Sequence, residues 1–196
     1  MTFHALRTRD RPRSGGENFA RLALRPISGM FPDSSAIWFC AGIIKSIMSS
    51  HTPDLTKQPP RSIRVRLGGY VALPRMLDKC RAEIAGKNGE FHYNCPLDQV
   101  FFEFTGINFE ALKKEVATGK GDWEILEWVN ANAKPKRTCA EIEAWSAWHE
   151  RRAPNNPDGR EYFSAEHKRL APNRTDFVTW FDYLDIDDHA SYGGKV

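Results

Sequence analysis

Cysteine is scarce in this chain, and no two cysteines stand close together. Cys40, Cys80, Cys95 and Cys139 are scattered over 196 residues, so neither a disulfide framework nor a CxxC redox or zinc motif is present. That usage points to reduced thiols, a cytoplasmic location and no bound metal or other cofactor. Long apolar runs are missing too: no stretch reaches the roughly 18 apolar residues that a membrane-spanning helix needs. Alternating apolar and polar residues, the mark of a half-buried strand, occur at most in Ile63-Arg-Val-Arg-Leu67. No Gly-Lys-Ser/Thr follows Leu67-Gly-Gly-Tyr70, so that glycine pair reads as a turn and not as a phosphate loop.

Charge of one sign is lacking as well. Lys and Arg total 28 against 25 Asp and Glu, a net of +3. Residues 1–47 hold seven basic and three acidic residues, a net of +4, which leaves −1 for the remainder. The body therefore has no electrostatic bias toward nucleic acid or an anionic membrane.

What is present is enough apolar material to build a core, 41% of the chain with 12% aromatic. It is unevenly placed. Residues 1–35 are rich in Arg, Ser, Gly and Pro, and the apolar stretch Ala36–Ile44 lies too far from the N-terminus for a secretory signal. Met48 opens a polar start that leads into a patterned body. Residues 1–47 thus read as a disordered or spurious extension, with Met48 as the expected natural start. Residues 48–66, containing Pro53 and Pro59-Pro60, read as an extended arm of polyproline character.

Residues 67–196 read as one all-α domain of about six to seven helices. Leu73, Met76, Leu77, Cys80 and Ile84 recur at the helical period, with Pro74 in the first turn and Gly86 as a stop. Leu97, Val100, Phe101 and Phe104 form a second stripe between Pro96 and Gly106. Asn108 is positioned to cap a third helix that Gly119 ends, and Asp122 to cap a fourth. Thr138-Cys-Ala-Glu141 has the capping-box spacing and introduces Ile142, Trp145 and His149. A helix with Phe163, His167 and Leu170 stops at Pro172, and Thr175 is expected to cap a last one carrying Phe177, Trp180, Phe181 and Leu184.

Chemistry concentrates in Glu90-Phe-His-Tyr-Asn-Cys-Pro-Leu-Asp98, between two helices. Such a loop could supply a base, a nucleophile and an orienting carboxylate, and equally a helix cap, with Asp98 at the positive end of the dipole. His92 and Asp98 are the catalytic candidates; Arg75, Lys79 and Tyr93 are the ligand-binding candidates. Phe91 and Tyr93 are expected to anchor the loop and leave His92 and Asp98 outward. Arg75, Asp78, Lys79 and Arg81 are expected on a solvated helix face, with an Asp78–Arg81 ion pair one turn apart. His149 is expected as a hydrogen-bonded interior residue, and Trp145 and Trp148 as core and rim. Asp182, Asp185, Asp187 and Asp188 fail the calcium-loop register, because Ala190 and Val196 occupy its glycine and glutamate positions.

Leu67-Gly-Gly-Tyr-Val-Ala-Leu-Pro-Arg-Met-Leu-Asp-Lys79 resembles the start of a bacterial family catalogued as domain of unknown function 5069. Gly86–Asp98, Phe101–Ile107 and Gly121–Trp128 extend the likeness over roughly residues 54–196. It implies a helical fold and carries over no activity and no catalytic residue. On sequence alone the leading function is a non-catalytic interaction or regulatory module with an unknown partner. The alternative is a small-molecule binder or enzyme using the Glu90–Asp98 loop with Arg75 and Lys79, to be favoured if those groups meet in one cleft.

Overall fold

The computed structural model describes residues 52–196, and the expected leader over residues 1–47, with Cys40, lies outside them. Among the described residues the fold is all-α, with seven helices and a minimal hairpin. Strand β1 (Arg66–Leu67) pairs antiparallel with β2 (Tyr70–Val71), Leu67 opposite Tyr70. Gly68 and Gly69 have φ of +58° and +86°, the conformation a two-residue hairpin turn requires.

The helices are α1 (Leu73–Ile84), α2 (Pro96–Thr105), α3 (Phe109–Ala117), α4 (Asp122–Asn132), α5 (Cys139–Glu150), α6 (Pro157–Leu170) and α7 (Trp180–Ser191). Their ends follow local chemistry. Asn108 Oδ1 accepts from the Glu110 and Ala111 amides. Thr138 and Glu141 cap each other reciprocally at the start of α5. Gly106 ends α2 at φ +66°, where an added Cβ would meet the Lys134 carbonyl oxygen at 2.1 Å. Two boundaries differ from expectation. Gly121, not Asp122, is the cap residue of α4, and the Asp122 carboxylate is drawn off to Arg61 and Arg81. Helix α7 starts after Thr179, not Thr175, because Thr179 and Asp182 form a complete capping box.

The main core gathers around α1. Tyr70 meets Phe101, Phe104 and Trp145 edge-on, and Phe104 stacks on Trp145 at 4.8 Å. Burying rings of this size supplies about 2–3 kcal/mol each before entropy is charged. A second, smaller cluster of Phe163, Ala171, Phe177 and Ile186 joins α6 to α7. The segment before the hairpin takes part in the packing, since Leu55 and Ile63 are buried. Trp145 is buried and Trp148 half exposed. No helix among the described residues is long and apolar enough to cross a membrane.

Candidate functional site

Helix α1 corrects the expectation of a solvated polar face. Every residue from Leu73 to Ala82 is buried, including Arg75, Asp78, Lys79 and Arg81. The expected Asp78–Arg81 pair is replaced by partners from elsewhere in the chain. Arg61 grips Asp78 through Nε and Nη2 at 2.8 and 2.7 Å and reaches Asp122 at 2.6 Å, where Arg81 also donates at 2.6 Å. The reason is position: α1 lies inside the fold, so its polar side is covered by the 52–65 segment and by other helices. A charge in that setting persists only when paired and hydrogen-bonded.

Two of these pairs form the floor of a cleft of about 830 Å³. Lys79 Nζ donates to both oxygens of Asp98 at 2.8 and 2.7 Å, and to Cys95 Sγ at 3.3 Å. The side chains of Lys79 and Asp98 are each only 5% exposed. Asp98 also accepts the Cys95 amide at 3.3 Å, which ties the ammonium to the first turn of α2. Arg75, one turn before Lys79, pairs with Asp188 through both terminal nitrogens.

The cleft's rim is different in kind. The loop contributes Glu90, Phe91 and His92, and of these Glu90 and His92 are exposed. Helix α7 contributes Tyr183, Asp187 and Ser191, spaced four residues apart so that they share one helix face. Tyr192 follows and stacks against Phe91 at 6.5 Å. Tyr162 of α6 completes the rim, its hydroxyl 2.7 Å from that of Tyr183. Burial and the bond to Tyr162 raise the Tyr183 phenol well above its ordinary range. Tyr183 therefore stays protonated and neutral at physiological pH.

Four of the five sequence candidates, Arg75, Lys79, His92 and Asp98, line this one cleft. Asp98 does not point to solvent as expected, because it is spent on Lys79 and on the helix end. Tyr93 lies apart from the cleft. Its ring is buried against Phe102 and its hydroxyl donates to the Phe109 carbonyl at 2.9 Å. The contribution of α7 went unread in the sequence. Its signal was available in Tyr183-x-x-x-Asp187-x-x-x-Ser191, a polar row on the side of a helix. The four aspartates weighed for calcium are held instead by arginines: Asp182 and Asp185 by Arg64, Asp187 by Arg169, Asp188 by Arg75. His149 is fully buried, as expected. Its Nδ1 stands 3.4 Å from Arg152, but its Nε2 has no hydrogen-bond partner among the described residues.

The sequence model of a family described as Domain of unknown function (DUF5069) matches residues 57–190. No curated protein matches the chain.

Proposed function

The chain belongs to the domain of unknown function 5069 family, and we propose that its members' work is done by binding a small polar molecule in the cleft between α1, the Glu90–Asp98 loop and α7. One observation carries this reading. Arg75, Lys79, His92 and Asp98 are separated in sequence yet line a single cavity of about 830 Å³, within the size range of small-molecule sites. Rigid helices present the floor, and a loop carries part of the rim, an arrangement in which binding groups are commonly found.

A second reading, an interaction module, draws on Trp123 and Trp148, which are 66% and 51% exposed. These rings belong to different helices, α4 and α5, and neither lines the cleft. Cys80, Cys95 and Cys139 form no disulfide among the described residues, which supports a cytoplasmic location. Nucleic acid is not proposed as a partner, since Arg61, Arg64, Arg66, Arg75 and Arg81 are all tied to carboxylates.

The test is a titration of the isotopically labelled full chain with amines, sugars, sugar phosphates, nucleosides and amino acids, followed by backbone amide shifts. Saturable shifts concentrated in residues 89–98 and 183–192 are expected for at least one class. If no class moves those amides, or if shifts cluster around Trp123 or Trp148 instead, the cleft is not the functional site.

A further inference from the structure

Resting on the reading of the cleft as a ligand site, we propose that the molecule it takes is an organic cation, an amine held between aromatic rings and the carboxylates of Glu90 and Asp187. The first support is the charge balance of the lining. Four acidic side chains (Glu90, Asp98, Asp187, Asp188) face the cleft against two basic ones, Arg75 and Lys79. Both cations are already consumed, by Asp188 and Asp98, in pairs too buried to be shared cheaply with a ligand. An entering anion would find no uncommitted cation on the floor and two carboxylates on the rim.

Those rim carboxylates are the accepting groups left over. Glu90 is exposed and makes no ion pair among the described residues. Asp187 accepts from Arg169 at 2.9 Å, but that arginine is 56% exposed, lies outside the lining and is shared with Glu166. Its charge is therefore divided and screened by solvent.

The aromatic walls are the independent second support. Phe91, Tyr162, Tyr183 and Tyr192 line the same space. Ring faces attract cations through their quadrupole, and most strongly where water is excluded. The chain already uses this contact inside the cleft, since the Arg75 guanidinium lies 5.5 Å from the centre of the Phe91 ring. A ligand ammonium in the cleft enters a space lined by the other rings and by the two rim carboxylates. The Tyr162 and Tyr183 hydroxyls, bonded to each other, have lone pairs left to accept from its N–H groups.

Isothermal titration calorimetry on the full chain tests this with four probes: spermidine, choline, glucose and glucose 6-phosphate. Saturable binding of spermidine or choline is expected, with glucose 6-phosphate silent. Glu90→Gln and Asp187→Asn should each weaken amine binding about tenfold, while Asp176→Asn, a carboxylate change outside the cleft, should leave it unchanged. Both rim variants keep the shape of exposed or half-exposed side chains, so their thermal midpoints should match the parent and report that they fold. Amine binding that ignores Glu90→Gln and Asp187→Asn would be general attraction to acidic surface and would overturn the proposal. Silence of both cations, spermidine and choline, overturns it too. Tighter binding of glucose or glucose 6-phosphate, with amide shifts in the cleft, would sink the organic cation while leaving the ligand site standing.

Discussion

The floor and the rim of the cleft both carry ionisable side chains and behave as opposites. On the floor, Lys79, Asp98, Arg75 and Asp188 are at most 8% exposed and satisfy one another. On the rim, Glu90 and His92 are exposed and Asp187 is half-buried. Burial, not chemical identity, decides which charges hold the fold and which are free to meet a ligand. A floor charge has left water and depends on its partner, so deleting that partner strands it in a poor solvent. A rim charge keeps its hydration, and its loss costs little. The comparison also reverses the first intuition about this site, in which the α1 cations looked like the ligand grip.

The largest expected effect is on the floor. Asp188→Ala leaves the buried Arg75 guanidinium without its two hydrogen bonds to a carboxylate and should cost about 3–5 kcal/mol of stability in urea unfolding. A loss below about 1 kcal/mol, the range of surface pairs, would move Arg75 to the rim class.

Next comes His149, which sharpens the comparison because it is buried like the floor but has no counter-charge among the described residues. Burial first, and the nearby Arg152 second, push its imidazole down to about 4. The unfolded chain takes up a proton near pH 6.5 while the folded chain does not. Stability should therefore fall as pH drops from about 6.5 toward 4, by about 3 kcal/mol when fully expressed. Below that, Asp122 adds to the loss. Burial alone would raise its carboxyl, but bonds from Arg61 and Arg81 hold it below the ordinary range. Urea midpoints of the parent and of His149→Phe across pH 4–7 read the His149 part. A slope that persists in the variant would assign it to another group.

The smallest effects belong to the rim. Glu90→Gln and His92→Ala should each change stability by less than about 0.5 kcal/mol, measured by the same unfolding. A loss above about 2 kcal/mol at His92 would make it a packing residue and remove it from the site.

Much of the fold was legible in the sequence because its signals are local. Pro96 and Gly106 bracket α2, Asn108 caps α3, and Thr138 with Glu141 opens α5, each within a few residues of the element it controls. The missed start of α7 was local as well, since Thr179-x-x-Asp182 has the capping-box spacing and outcompetes Thr175. The polar face of α1 was not legible. Its partners are distant in sequence, Asp188 lying 113 residues from Arg75, and a helical period cannot tell a solvated face from one covered by another helix. His92 and Asp98 were found together for the density of polar chemistry in their loop. Only the fold separates them, because Lys79 reaches Asp98 and not His92.

The floor pair itself gives the most direct test. In a double-mutant cycle of Lys79→Met, Asp98→Leu and the combined variant, measured by urea unfolding, each single change should cost about 3–5 kcal/mol. The combined variant should regain at least about 2 kcal/mol of their summed loss, because no charge is left stranded. Single losses below about 1 kcal/mol that simply add would contradict the account, releasing Lys79 from Asp98 and making it available to a ligand.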